Sequence, residues 1–221
     1  MKNIVLFQLM LMLFVISCVN ESHDSKRRTI NINRHVNPMY NRISNIVDTL
    51  DIENINTFFD LSKYINDPTY FNKYPKLSEE EINTLNLVKL KDENHYYCYY
   101  STLETNSDSL IAFTVIKNTF KHKNSIHQTL HTLHKHNDVV TNLELSAFGA
   151  DFLWSLQKSS ILNLDSTLEI SQTEVLESEK MKNGKDIIEQ EITKDYYKYK
   201  MNKDFSFTLL EEKADTILIS N

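Results

Sequence analysis

Five of the eight histidines fall between His122 and His136, and imidazole is the commonest metal ligand. What they can do depends on the element that carries them. On a helix, His127, His131 and His134 would form one stripe with the i,i+4 spacing that chelates a single ion. On a strand, His127 and His131 stand about 13 Å apart and cannot share one. Asn137-Asp138 followed by 139–145 reads as a hairpin, which favours a strand over 126–134. His134 and His136 then remain as a His-x-His pair near a turn, weak metal candidates without a third ligand. No metal or other cofactor is expected. Ser155-Leu156-Gln157-Lys158 has the Ser-x-x-Lys spacing of a nucleophile and its base, but the companion motifs Ser-Asp-Asn and Lys-Thr-Gly are absent. Glu189 and Glu191 share one face of an expected strand and read as a solvated pair. No residue is assigned a catalytic role.

Composition narrows the classes further. The 221 residues carry a net charge of −6 and are 41% hydrophobic, enough for one domain with, at most, a small appendage. Phosphate-cradling loops need several glycines for close backbone approach, and the chain has two, Gly149 and Gly184. Walker, Rossmann and nucleophile-elbow motifs are therefore excluded. Mild acidity argues against a nucleic-acid partner; the one basic cluster, Lys26-Arg27-Arg28, lies in a polar run and reads as solvated.

One of the chain's two cysteines, Cys18, lies close to the N-terminus. After Met1-Lys2-Asn3 comes an apolar stretch from Ile4 to Ile16, broken only by Gln8. As a helix it spans roughly 20 Å, short of the ~30 Å hydrocarbon core of a bilayer. Length and charged start fit a secretory signal peptide. Val15-Ile16-Ser17-Cys18 resembles the lipobox of bacterial lipoproteins at all four positions. The resemblance implies cleavage between Ser17 and Cys18 and lipidation of the Cys18 sulfur, which anchors the chain in a bilayer. Two or more acyl chains anchor stably where one does not. Cys98 is then left without a disulfide partner and reads as a small buried hydrophobe.

Along the mature chain, residues 18–36 are polar and aperiodic, a flexible tether. A helical segment is expected over 37–87. Pro38 opens it, with Tyr40, Ile43, Ile46, Val47 and Leu50 at helical spacing. Ile52, Ile55 and Phe59 mark a second helical stretch that Asp67-Pro68 stops, and Ser78 with Glu81 forms a capping box. From 88 to 215 the pattern is that of strands, at 96–102, 109–118, 126–134, 139–146, 167–177, 186–199 and 205–209, separated by turn-forming groups. Asn183-Gly184 is the strongest short hairpin signal. The fold class is α+β: a short helical segment, then an antiparallel meander of about seven or eight strands, closed as a sandwich or a partial barrel. Tyr96, Tyr97, Tyr99, Tyr100, Tyr196, Tyr197 and Tyr199 are expected to enter the core at alternate positions, the outward members offering recognition surface.

Three stretches carry a resemblance over roughly 87–213. They are the hairpin 130–145, the polar end Ser146-Ala147-Phe148-Gly149-Ala150-Asp151, and the closing Tyr199-Lys200-Met201-Asn202-Lys203-Asp204-Phe205-Ser206-Phe207. In these the chain resembles a group of small lipoproteins of Bacteroidota to which no activity or site attaches. The usual turn glycines are replaced here by His136-Asn137-Asp138 and by Asp204. The resemblance implies an address, the cell envelope, with the outer membrane as the expected bilayer and the domain facing the periplasm or the surface. The expected function is a non-enzymatic binding or assembly module with an envelope protein or glycan as partner. The alternatives are an envelope hydrolase with an unrecognised site and a toxin-inhibitor or immunity lipoprotein.

Overall fold

A computed structural model describes residues 36–47, 58–64, 67, 69–90, 95–103, 105, 107–119, 125–136, 139–182 and 185–220. All of them belong to one compact unit spanning residues 35–221. The signal peptide expected over 1–17 and the tether up to residue 35 lie outside the described residues. Val36, placed at the end of that tether, instead packs against the core.

Asn37 caps the first helix, α1 (Pro38–Val47), by accepting the Met39 amide on its side chain at 2.9 Å, and Pro38 takes the first helical position, where a missing N–H costs nothing. Met39, Tyr40 and Ile43 are buried on one side of α1, in accord with the periodicity. Its Tyr40 hydroxyl donates to the Asp108 carbonyl at 2.8 Å. Of the stretch expected to be a second helix, Ile52 and Ile55 lie outside the described residues, and its described end differs: a short strand, β1 (Phe58–Asp60), and a 3₁₀ turn, Ser62–Tyr64. A second 3₁₀ turn, Tyr70–Lys73, follows it. The capping box forms as expected on α2 (Glu79–Thr84): Ser78 N–H donates to Glu81 Oε2 at 2.6 Å and Glu81 N–H to Ser78 Oγ at 3.3 Å.

Eight strands follow in a sequential antiparallel meander: β2 (Tyr96–Leu103), β3 (Leu110–Asn118), β4 (Ser125–His134), β5 (Val139–Asp151), β6 (Trp154–Leu162), β7 (Thr167–Lys182), β8 (Lys185–Met201) and β9 (Phe207–Ser220). The sheet is open, with β2 at one end and β9 at the other. Strand β6 was not expected from the sequence, and β9 runs past residue 215. Asn183-Gly184 lies outside the described residues, but Lys182 stands opposite Lys185, the register of a two-residue hairpin.

The long corner strand β5 changes partner along its length. Its register with β4 runs from Gly149 down to Val139, with bulges that leave Leu145 and Val140 unpaired. Only 147–151 pair with β6. Where β5 and β6 part, β1 pairs with the far end of β6, Phe58 opposite Ile161.

Two apolar clusters hold this arrangement. The first joins α1, the 3₁₀ turns and Leu85 to β2–β4, including Phe71, Tyr99, Phe113 and Ile116. The second gathers Leu110, Leu130 and Leu145 with Leu168, Ile170 and Phe205. Consequently β2 does not alternate: Tyr97, Cys98, Tyr99 and Tyr100 are all buried. Cys98 faces Ile116 and Tyr99 faces Val115 on opposite sides of the sheet, so both faces are covered. Burial pushes the Cys98 thiol up to about 12, slightly opposed by Lys76, leaving it an inert thiol.

Candidate functional site

The cluster best suited to chemistry crosses β4, β5 and β6. Ser125 and His127 are two apart on β4 and so point to the same face. The bulge between Glu144 and Ser146 sets Glu144 opposite Thr129, two residues along from His127 on that same face. Lys158 comes from β6, opposite Ala147, which itself faces His127. The four side chains meet in a row. His127 Nδ1 lies 2.9 Å from Glu144 Oε2, and His127 Nε2 lies 3.2 Å from Ser125 Oγ. Lys158 Nζ donates to Glu144 Oε1 at 2.6 Å.

Electrostatics fix the roles. Burial pushes the Glu144 carboxyl up, but hydrogen bonds and charge from His127 and Lys158 outweigh it and hold the group at about 2. An ionised carboxylate only accepts, so Nδ1 of His127 donates to it. In the imidazole form Nε2 presents a lone pair to the Ser125 hydroxyl, the order of a nucleophile, base and orienting acid. Thr119 Oγ1, 2.6 Å from Ser125 Oγ, supplies a second partner for that hydroxyl. The Trp154 ring walls the cluster. It lies so close over Gly149, the residue opposite Ser125, that a Cβ there would stand 2.6 Å from the indole, while its Nε1 donates to Glu174 at 2.6 Å.

The opposite face of the same strands holds a buried polar row of structural character. Ser101 and Thr114 hydroxyls lie 2.6 Å apart, Gln128 Nε2 donates to Thr114 at 3.3 Å, and Ser146 donates to Gln128 Oε1 at 3.0 Å. One bond links each neighbouring pair of strands from β2 to β5, which fixes their register. His131 is different. It is fully buried, stacked on Phe113 with ring centroids 5.8 Å apart, and neither ring nitrogen has a hydrogen-bond partner. Burial lowers its pKa to about 4.

The strand expected over 126–134 is β4, and His127, His131 and His134 therefore do not line one helical stripe. His134 is half-buried at the end of β4 and His136 is exposed beyond it. Among the described residues no group of three His, Cys, Asp or Glu side chains is placed to hold a metal. Ser155 and Lys158 lie three apart on β6 and point to opposite faces, so the tetrad does not assemble. Glu189 pairs with Lys180 across β7 and β8, on the face it shares with exposed Glu191. Ser17 and Cys18 fall outside the described residues. Sequence reasoning weighed His127 only as a metal ligand and did not single out Ser125 or Glu144, because their proximity depends on a bulge that no spacing announces.

The other feature open to a partner is the β9 end of the sheet. At the β2 end, residues 75–77 cover the strand: Leu77 N–H donates to the Tyr97 carbonyl and Tyr99 N–H to the Pro75 carbonyl, both at 2.9 Å. No described strand pairs with the outer edge of β9. Past the last β6 partner, where Trp154 faces Leu176, β7, β8 and β9 continue as a three-stranded extension. Val175, Ile192 and Ile217 form a row just before it, where Ser155 of β6 still pairs with Val175, and Ile188, Ile219 and Met181 continue on the same face into the extension. Leu218 is 73% exposed and Met181 79%.

Among the described residues no helix is long and apolar enough to cross a membrane. No family model, no curated protein and no solved structure matches this chain.

Proposed function

We propose that this protein is a lipid-anchored component of a bacterial cell envelope, held in the outer membrane through acylated Cys18, that works as a binding or assembly module with β9 as its docking strand. The observation that carries the reading is the contrast between a covered β2 edge and an open β9 edge flanked by exposed Leu209, Leu210, Ile217, Leu218 and Ile219. Edge strands are ordinarily blunted by charges or bulges, and β9 carries both between Leu210 and Asp215. Its edge nevertheless has no covering segment among the described residues, and its apolar end, Ile217 to Ile219, is left as a template for strand addition. Backbone donors and acceptors along β9 favour a protein partner over a glycan. The lipobox Val15-Ile16-Ser17-Cys18 supports the address. A photo-crosslinking residue at Thr216 in cells should give one discrete adduct that Leu218→Lys abolishes, whereas the same residue at exposed Asn142 should give none. Indistinguishable patterns at the two positions overturn the docking strand. Cys18→Ser should abolish acyl labelling and partition into detergent; an unchanged mutant overturns the anchor.

The order Ser125–His127–Glu144 favours a second reading, an envelope hydrolase acting on an ester. Ser125 Oγ would attack the carbonyl as His127 Nε2 takes its proton. His127 would return that proton to the departing alcohol, and water would release the acyl group by the same route. A fluorophosphonate probe decides it: labelling of Ser125 that is lost in His127→Ala supports the hydrolase, and equal labelling of wild type and Ser125→Ala removes it.

A further inference from the structure

The residues of β9 read Thr208-Leu209-Leu210-Glu211-Glu212-Lys213-Ala214-Asp215-Thr216-Ile217-Leu218-Ile219-Ser220. Apolar pairs close each end, charges occupy the middle, and the smallest side chain stands at the centre. Turned end for end and laid against itself about Ala214, the strand sets Lys213 opposite Asp215 and Asp215 opposite Lys213. Ala214 meets its own copy, and Leu209 and Leu210 come against Ile219 and Leu218. Antiparallel neighbours directly opposite share a face, with Cβ atoms ~5 Å apart, so Lys213 with Asp215 and Ala214 with its copy are true side-chain pairs. Parallel self-pairing would instead stack Glu211, Lys213 and Asp215 on their own copies, and no other centre between Glu212 and Ile217 matches both the charges and the apolar ends.

Both charged groups are exposed, and the bonds Lys213 makes lie within its own chain. Lys213 is exposed, paired with Glu211 at 2.6 Å on its own strand and lying 5.5 Å from the Tyr196 ring centroid. Asp215 is exposed on the face it shares with Lys213. The bulge opposite Lys198–Tyr199 leaves Leu210 out of the β8 ladder, which ends the regular edge there and confines the pairing to the stretch from Glu211 onward, with the two leucines as an apolar flank. Resting on the reading that β9 is the docking strand, we infer that its partner is β9 of a second copy of this chain, paired antiparallel about Ala214, so that two eight-stranded meanders join into one continuous sheet. A two-fold contact of this kind is self-complementary by construction. The edge it uses lies at the far end of the strand order from β4 and β5, which carry the Ser125 cluster.

The experiment uses the full lipidated chain in detergent micelles and reads mass by light scattering. Wild type should be dimeric at tens of micromolar. Lys213→Asp sets Asp against Asp and Asp215→Lys sets Lys against Lys, so each variant alone should lose at least ten-fold in association. Mixed one to one, the two should associate again, since each strand now meets its opposite charge, and the double variant K213D/D215K should recover the wild-type dimer. Both positions are exposed, and unchanged melting of each variant confirms that folding is intact. Recovery on mixing supports the pairing. Dimers that ignore both single substitutions, or singles that fail to recover on mixing, overturn it. A monomeric wild type whose Thr216 adduct in cells carries the mass of another protein also overturns it, while leaving strand addition at β9 standing.

Discussion

Strands β3 and β9 are both long and antiparallel, yet they are stabilised in different ways. In β3, Leu110, Ala112, Phe113, Thr114, Val115, Ile116 and Asn118 are all buried, because α1 and its neighbouring turns cover one face and the curled sheet covers the other. In β9 nearly every side chain from Thr208 to Ile219 is exposed, and the strand is held by its ladder to β8 alone. Backbone pairing that replaces bonds to water contributes about 1 kcal/mol per bond, whereas burying a large apolar side chain contributes about 1.5–3 kcal/mol. Stability is therefore concentrated in β2–β5, and the far end of the sheet is left with unused bonding capacity. That is the distribution expected where one half of a protein keeps the fold and the other meets a partner.

Truncation should separate the halves most sharply. Phe113→Ala removes a fully buried ring between the sheet and the helical layer and should cost about 3–5 kcal/mol in urea unfolding. A cost below about 1 kcal/mol would mean that the doubly covered half is not the source of stability.

Acid should act on the same half. His131 is held neutral at a pKa of about 4 against an ordinary 6.5. The unfolded chain therefore takes up this proton first. Stability is complete above pH 6.5, falls as the pH drops toward 4, and loses about 3 kcal/mol in that window. Glu144, whose folded pKa is depressed to about 2 from 4.5, contributes stability that is present above 4.5 and lost only below it, so the range from 6.5 to 4.5 isolates the histidine. His131→Leu, which removes two unpartnered buried nitrogens, should flatten the profile in that range and raise stability near neutral pH. A profile unchanged by the substitution would show that another group titrates there.

Between the halves lies Gly149. Gly149→Ala places a methyl group against the Trp154 indole and should cost about 1–3 kcal/mol while shifting tryptophan emission, since the chain has one Trp. Unshifted emission would mean that Ser125 yields instead. Smallest of all, Leu218→Ser on the extension should change stability by less than about 0.5 kcal/mol; a larger loss would show that the extension supports the fold.

The meander was legible because its turns are short and its strands carry β-branched and aromatic residues, as at 110–116 and 126–133. Strand β6 was not: Ser155-Leu156-Gln157-Lys158-Ser159-Ser160 lacks strand formers and draws its stability from pairing on both sides. Strand β1 was hidden by helical spacing, which three residues satisfy as readily as an alternating pattern does. Burial of five consecutive residues in β2, Tyr97 to Ser101, contradicts alternation because Leu61, Tyr64, Phe71, Tyr74 and Leu77 return to cover it, a tertiary event with no local signal. The Ser125 cluster was illegible for a related reason. It needs the register of β4 on β5 and the bulge at Leu145, and a one-residue slip would turn Glu144 to the other face.

The seating of β1 bears on the order in which the chain assembles. Every other strand pairs with its neighbour in sequence and closes a short loop, which is fast. Phe58 must find Ile161, so most of the meander has to exist before that contact can form. A chain that emerges from its N-terminus would hold β1 unpaired until β6 arrives, and the junction where β5 parts from β6 would be the last place to close. By the same reasoning it is the first place to open, and the second apolar cluster should loosen there while the first stays intact.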